Sequence, residues 1–198
     1  GHVWSVGGAL GTGRYENIAG GTENAGVTFS GWDGSQTGET ELYDGATWSE
    51  VADQTVARSS AAGDGTQNAA WIAGGGGHAG TVAASGSMEI WNGSAWSFGG
   101  CLNTTVFSHG GSGTVNAAIK HGGASPSYDD CTETYDGTTW SDDAALLANR
   151  GIHGSAGSQQ AALVIGGATP SLVATVEEYN RAHSGASYLL TKKIKAQE

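Results

Sequence analysis

Short apolar and alternating segments recur along the chain, and each segment is bounded by turn-forming residues. Residues 161–165 form a continuous apolar run, which is typical of a buried strand. Residues 40–43 alternate in polarity and include β-favouring types. Asp44 and Gly45 follow directly, and this dipeptide supplies the positive-φ turn of a β-hairpin. The pattern therefore predicts short β-strands joined by tight turns.

The same pattern occurs four times, and four columns of identical or similar residues fix its register. A Trp-Ser pair recurs at intervals of 44, 48 and 44 residues, and its tryptophans are Trp4, Trp48, Trp96 and Trp140. The single-glycine column contains Gly21, Gly65, Gly113 and Gly157. The double-glycine column contains Ser30-Gly31, Gly74-Gly75, Gly122-Gly123 and Gly166-Gly167. The acidic column contains Glu41, Glu89, Glu133 and Glu177. A period of this length with four strands in each unit predicts the blades of a β-propeller.

These columns resemble the kelch repeat, in which a double glycine follows one strand, a tyrosine lies in the next and a tryptophan in the last. The resemblance covers about residues 4–180 and implies an all-β fold, a β-propeller of four kelch-like four-stranded blades. The segments Gly-Thr-x-Asn-Ala-Ala and Glu-x-Tyr-Asp-Gly-x-x-Trp-Ser look most like glycine-rich, kelch-like repeats of bacteriophage virion proteins. Galactose oxidase shares the kelch fold, but Cys101 and Cys131 lie in contexts unlike its copper site. Oxidase chemistry is therefore not implied.

The repeat register predicts one propeller domain in residues 1–180 and a basic tail or linker strand in residues 181–198. The predicted blades are at about 7–48, 49–96, 97–140 and 141–180. The fourth repeat lacks its tryptophan, whereas Trp4 belongs to a strand without a blade. We therefore predict that residues 1–6 complete the fourth blade and close the ring, which leaves no exposed sheet edge. The alternative is part of a larger ring, in which Trp4 belongs to a preceding blade.

Composition and charge exclude several classes of partner. The chain has 198 residues and a net charge of −11, and residues 1–180 hold 18 of its 19 acidic residues but only four of its eight basic ones. An acidic surface repels phosphate backbones and anionic lipids. No segment approaches the ~18–20 apolar residues of a membrane span. We therefore expect neither a nucleic-acid partner nor membrane insertion.

Two features of the sequence leave alternatives open. The chain does not begin with methionine, which favours a processed or partial chain with an upstream leader or domain. Cys101 and Cys131 either form a disulfide across one blade or remain free as small buried residues.

The repeated tryptophans and glutamates are predicted to be structural because they recur once in each blade. The glutamates are expected to accept hydrogen bonds from the backbone or from a basic column. That column contains Arg14, Arg58 and Arg150, with Val106 in the third repeat.

His109 and His153 share another column, which lies near the innermost strand of each blade. Two histidines that face a central channel suit a metal ion, but no other ligand spacing accompanies them. The chain also contains no phosphate-binding loop, nucleophile elbow or His-Glu-x-x-His motif. We therefore predict no metal, no cofactor, no catalytic residue and no enzymatic activity.

Candidate binding residues lie on the rim formed by the second-to-third loops and the blade-to-blade connections, which we call the divergent rim. The interval from Gly75 to Glu89 is 14 residues, whereas the three equivalent intervals are 10. Variable loops on a regular scaffold commonly bind ligands. The candidate residues combine aromatic rings, carboxylates and a histidine, which suits sugar binding: Trp32, Asp33, His78, Tyr128, Asp129 and Asp130. The alternative is that each is an ordinary solvated loop residue.

These observations predict a non-enzymatic structural or recognition module. The resemblance implies a bacteriophage virion protein of the surface, tail or fibre that mediates host attachment or protein–protein contacts. Its expected partners are other virion proteins or a host-surface glycan or receptor, and homo-oligomerisation is left open. The alternative is a secreted or cell-surface carbohydrate-binding kelch propeller of bacterial origin.

Overall fold

The chain folds into four consecutive antiparallel β-sheets that form a four-bladed β-propeller, as the repeat predicted. This computed structural model describes residues 3–76 and 84–181. All regular secondary structure in those residues is β, and no helix there could cross a membrane.

Three blades have four strands in sequential order, and the fourth has three. The first blade contains β1 (Ile18–Thr22), β2 (Ala25–Phe29), β3 (Thr40–Tyr43) and β4 (Trp48–Glu50). The second contains β5 (Ala62–Thr66), β6 (Ala69–Ala73), β7 (Ser87–Trp91) and β8 (Trp96–Cys101). The third contains β9 (Gly110–Thr114), β10 (Ala117–His121), β11 (Thr132–Tyr135) and β12 (Trp140–Asp143). The fourth contains β13 (Gly154–Ser158), β14 (Ala161–Ile165) and β15 (Val176–Asn180).

The rim opposite the divergent rim consists of tight turns, and we call it the uniform rim. Gly113 has a φ of 107°, and a Cβ there would collide with the carbonyl oxygen of Ala117 across the hairpin. Asp136 Oδ1 accepts hydrogen bonds from the N–H groups of Thr138 and Thr139, both at 2.8 Å. These backbone hydrogen bonds lower the pKa of Asp136 below its usual value. The predicted hairpin turns are therefore confirmed.

Tryptophans pack between neighbouring blades and build the core. Trp96 Nε1 donates to Thr40 Oγ1 of the first blade at 2.9 Å, and its ring meets that of Phe29 edge-on at 4.9 Å. Trp140 occupies the same position between the third and second blades, where its Nε1 lies 3.2 Å from Met88 Sδ. Both indoles are buried, as predicted, whereas Trp48 is only partly buried.

Neighbouring blades are also joined by one repeated backbone hydrogen bond. In the first three blades, the second glycine of the double-glycine position donates its N–H to a carbonyl at the start of the next blade. The three bonds are Gly31 to Arg58 at 3.0 Å, Gly75 to Val106 at 2.8 Å and Gly123 to Arg150 at 2.8 Å. The innermost strands pack in the same order, β1 on β5, β5 on β9 and β9 on β13.

The predicted closing strand is not observed. Residues 3–10 contain no strand, Trp4 is fully exposed, and the fourth sheet consists of β13–β15 alone. Among the described residues, β13 and β1 do not show the extensive packing that joins the other innermost strands. The N-terminal segment instead lies beside Tyr43 and Ala46 of the first blade. Gly11 N–H donates to Glu41 Oε2 at 2.8 Å, as Thr55 N–H does to Glu89 in the second blade.

The two cysteines are free, and the C-terminal tail is described only at its first residue. Cys101 and Cys131 are both free thiols, so they form no disulfide, but the expectation that both are buried is wrong, because Cys101 is exposed and Cys131 is partly buried. Burial raises the pKa of the Cys131 thiol. The predicted tail lies outside the described residues except for Arg181, whose N–H donates to the carbonyl of Gln160 at 2.9 Å.

Candidate functional site

Each blade begins at the divergent rim with a non-glycine residue in the left-handed region. These residues are Glu16, Ser60, Ser108 and Ile152, with φ between 52° and 57°. A left-handed conformation is costly for such residues, above all for β-branched isoleucine. Two hydrogen bonds between blades stabilise this conformation. Ser108 N–H donates to the Ser60 carbonyl at 2.7 Å, and Ile152 N–H donates to the Ser108 carbonyl at 2.8 Å. Sequence reasoning missed this column because its residue types differ among the blades.

An axial pocket of about 330 Å³ opens between these four strand entries. All four blades contribute polar side chains to its wall, namely Glu16, Asn17, Ser60, Ser108, His109 and His153. The only sequence signal for it was the column that holds His109 and His153.

Hydrogen bonds between blades position part of the pocket wall. Ser60 Oγ donates to Glu16 Oε2 at 2.7 Å, so this carboxylate bridges the first and second blades. Asn17 Nδ2 donates to Thr28 Oγ1 at 2.8 Å within the first blade. The wall therefore presents oriented hydroxyl, amide and carboxylate groups.

Two buried histidines, His109 and His121, and the partly buried His153 lie in and behind the pocket wall. His121 Nδ1 and His153 Nε2 are 3.0 Å apart, so one ring donates a hydrogen bond to the other between the third and fourth blades. Burial, together with the nearby charge of Arg150, lowers the pKa of His153 to about 4. Burial, together with the neighbouring His153, lowers the pKa of His121 to about 3. Burial is also the largest cause of a His109 pKa well below its usual value. All three rings are neutral at pH 7.

The histidine column packs blades together. An added Cβ at Gly74 would meet the ring of His109, and one at Gly122 would meet the ring of His153. Each histidine therefore packs against the double glycine of the preceding blade. Within residues 3–76 and 84–181, no three histidine, cysteine or acidic side chains are grouped to hold a metal ion.

The glutamate column is structural, as predicted. Glu89 accepts hydrogen bonds from Thr55 N–H at 2.8 Å, Val56 N–H at 3.2 Å and Arg58 Nη2 at 2.6 Å. Arg14 and Arg150 pair with the equivalent glutamates in their own blades. These carboxylates therefore fix the chain segment that enters each blade.

The third blade also has a buried charge pair, but a lysine from a different column supplies its positive charge. Val106 replaces the arginine there, and fully buried Lys120 places its Nζ 3.9 Å from Glu133 Oε1. Asn103 and Thr104 donate their N–H groups to the same carboxylate, at 2.7 Å and 3.1 Å. Burial raises the pKa of Glu133. Lys120 thus compensates for the missing arginine.

Trp32 and Asp33 lie together in the rim loop of the first blade. Trp32 is partly buried, and its backbone exchanges hydrogen bonds of 2.8 Å and 3.1 Å with that of Tyr15. Asp33 is exposed, and its Oδ1 accepts a hydrogen bond from Ser35 N–H at 3.0 Å. Hydrogen bonds within this loop therefore hold both the Trp32 backbone and the Asp33 side chain.

Tyr128, Asp129 and Asp130 lie in the equivalent loop of the third blade, and all three are partly buried. The Tyr128 ring lies against Gly151, where an added Cβ would come within 2.8 Å of it. Asp129 Oδ1 accepts a hydrogen bond from Cys131 N–H at 3.2 Å, so this carboxylate caps its own loop.

The predicted binding residues share one rim but do not form one cluster. The Trp32 loop and the Tyr128 loop belong to the first and third blades, and neither contributes to the wall of the axial pocket. His78 lies outside the described residues. The divergent rim thus contains a separate axial pocket and two loops, each with an aromatic residue adjacent in sequence to acidic residues. We call these two loops the aromatic–carboxylate patches.

No protein-family model matches the chain, and no curated protein matches it. The structure shows the propeller architecture, and the kelch and bacteriophage resemblances depend on the residue columns described above.

Proposed function

We propose that the protein is a non-enzymatic recognition module that binds its ligand or partner through the divergent rim. The contrast between the two rims carries this proposal. The uniform rim repeats the same glycine and aspartate turns, which the fold itself requires. The divergent rim presents different side chains in each blade around an axial pocket. Residues that vary on a rigid scaffold are those that folding leaves free for binding.

The chemistry of this rim favours a neutral, hydroxyl-rich ligand such as a glycan. Trp32 and Tyr128 offer partly exposed rings for stacking, and Asp33 offers an exposed carboxylate oxygen. The pocket adds the Glu16 carboxylate and the neutral His153 ring. The net charge of −11 disfavours anionic ligands.

The resemblance to bacteriophage repeats supports a virion setting. In that setting the module lies on a tail, fibre or capsid surface and attaches to a host-surface glycan or receptor, or to other virion proteins. The alternative is a secreted or cell-surface carbohydrate-binding propeller, which the aromatic–carboxylate patches favour equally.

A glycan array followed by titration calorimetry tests the proposal. Trp32→Ala and Tyr128→Ala should each weaken binding by ~1–2 kcal/mol, since a stacked aromatic anchor contributes about that much. Thr114→Ala on the uniform rim is the matched control and should leave the affinity unchanged. Each variant's melting temperature is measured first, so that a loss of binding is assigned only to folded protein.

Two outcomes contradict this proposal. Glycan or protein binding that survives both aromatic substitutions and is lost on substitution of the uniform rim would place the site on the wrong face. An absence of any ligand, together with contacts only through the uniform rim in an isolated virion, would make the protein a structural spacer.

A further inference from the structure

One face of the fourth blade is apolar and partly exposed, although the same face of the third blade is buried. Leu163, Ile165 and Val176 are exposed by 37%, 44% and 53%, whereas their equivalents Ile119, His121 and Thr132 are exposed by 0%, 1% and 3%. In the first three blades the following blade covers this face. Among the described residues, no neighbouring blade covers this face of the fourth blade as one does in the other three.

The backbone groups of the repeated junction are also unpaired at the two ends of the propeller. Three junctions each use a glycine N–H and a carbonyl in the column that begins with Arg14. Among the described residues, the N–H of Gly167 has no acceptor and the carbonyl of Arg14 has no donor. The donor and the acceptor of a fourth junction are thus both present, at opposite ends of one chain.

The missing strand of the fourth blade has a matching segment at the N terminus. Tyr43, Trp91 and Tyr135 each pair across strands with a tryptophan of the outermost strand, with ring centroids 4.9–5.6 Å apart. Tyr179 is the equivalent aromatic residue, and no outer strand pairs with β15 in the described fourth sheet. Trp4-Ser5 is the fully exposed copy of the repeated Trp-Ser pair.

We propose that the free face and edge of the fourth blade bind a second copy of this chain. The second copy contributes its residues 3–6 as the fourth strand and its first blade as the neighbour that covers Leu163 and Ile165. A second copy, rather than the same chain, supplies this strand because residues 3–8 lie beside the first blade and do not pair with β15. The contact is head-to-tail, which forms a closed ring or an open filament according to its angle.

The junction between copies continues the interface that already joins the blades within one chain, but its glutamine column is replaced by Val115 in the third blade and by Glu23 in the first. Gln67 Nε2 donates to the Tyr43 carbonyl of the preceding blade at 2.9 Å, and Gln159 Nε2 donates to the Tyr135 carbonyl. Glu23 occupies this column in the first blade and would face the Tyr179 carbonyl of the other copy. An ionised carboxylate cannot donate a hydrogen bond. The junction between copies therefore lacks a hydrogen bond that two of the three junctions within the chain contain.

Sedimentation equilibrium of the 198-residue chain over about 1–100 μM, a range that spans micromolar dissociation constants, tests the association. We expect a mass that rises above the 19.9 kDa monomer with concentration. Ile165→Asp and Trp4→Ala should each abolish the rise, and both side chains are exposed in the single chain, so its fold is kept. Phe98→Asp is the matched control, since Phe98 is an exposed apolar residue on β8, and it should associate like the parent.

Mixing the two defective variants distinguishes a second copy from closure within one chain. The Ile165→Asp chain retains an intact N-terminal segment, and the Trp4→Ala chain retains an intact fourth-blade face. A head-to-tail contact therefore predicts a 1:1 heterodimer from two monomeric variants. Glu23→Gln should tighten the parent association about fivefold, as expected for one added hydrogen bond.

Three results would overturn the proposal. The first is a parent chain that stays monomeric throughout the concentration range. The second is a mixture of the two variants that remains monomeric, since closure by the same chain's N terminus cannot be complemented. The third is association that survives both Ile165→Asp and Trp4→Ala, which would place the contact on another surface.

Discussion

The second and fourth blades carry the same repeat but are buried to different extents. Trp71 and Met88 of the second blade are completely buried between two neighbours, whereas Leu163 and Val176 occupy the same columns in the fourth blade and are exposed. Strand register is identical, with the double glycine and the acidic column at the same positions. The repeat thus specifies the sheet, while the neighbouring blade supplies the burial, as expected of a quasi-one-dimensional repeat protein.

The buried charge pair behaves differently from the apolar face. Arg58 pairs with Glu89 and donates to the carbonyls of Gly74 and Ser87, and Arg150 makes the same set of contacts in the fourth blade. These contacts lie within one blade and persist without a following neighbour. Local polar contacts are therefore independent of ring closure, and apolar burial is not.

The second and fourth blades should differ most in the loss of stability caused by truncating the central side chain of each. Trp71→Ala is expected to lower the free energy of unfolding by ~3–5 kcal/mol, as is typical of a buried tryptophan. Leu163→Ala in the same column should lower it by less than ~1 kcal/mol, because the leucine side chain is already partly in water. Urea denaturation of the monomer at low protein concentration measures both. Equal losses at the two positions would show that the fourth blade is covered.

Breaking the charge pair should give a smaller difference between the blades. Glu89→Gln is expected to cost about 3 kcal/mol, because it leaves the Arg58 guanidinium buried without a carboxylate. Glu177→Gln should cost ~1–2 kcal/mol, since the Glu177 side chain is 11% exposed and water can replace part of the contact. The same denaturation experiment tests this pair. A larger loss at Glu177 than at Glu89 would contradict the assignment.

The histidines at the last junction should make stability depend on pH. In the unfolded chain the histidine side chains bind protons below about pH 6.5. In the folded chain His153 and His121 stay neutral until about pH 4 and pH 3. The contribution of these histidines to the free energy of unfolding is therefore complete above pH 6.5. It is lost as pH falls, by up to ~1.4 kcal/mol per pH unit for each histidine.

His153→Asn isolates one of these contributions, because asparagine stands at the equivalent position 17 in the first blade. The slope of the unfolding free energy between pH 6.5 and 5 should become shallower than that of the parent. An unchanged slope would mean that His153 is protonated in the folded chain.

The sequence predicted the architecture because the columns mark residues that the blade requires. Gly113 has a positive φ, and Glu133 accepts hydrogen bonds from the backbone N–H groups of Asn103 and Thr104. The left-handed entries at Ser108 and Ile152 were not predicted, because tertiary hydrogen bonds impose them on residues that do not favour them. The Lys120–Glu133 pair was also missed, since the compensating residue lies in a different column from Val106.

The wrong prediction of ring closure and the untested binding residues both concern features that no repeated column specifies. The orphan Trp4 showed correctly which strand is missing from the fourth blade, but the prediction that this chain supplies it to itself was wrong, because no column encodes the path of residues 3–8. Trp32 and Tyr128 were chosen by residue type alone. Their association with ligand remains a prediction.

Hydrogen exchange at two protein concentrations tests the central claim, that the fourth blade lacks its neighbour within one chain. In dilute solution the amides of β13–β15 should exchange faster than those of β5–β7, and this difference should diminish as association covers the fourth blade. Equal protection of the two blades at the lowest concentration would contradict the claim, because it would mean that the ring closes on itself.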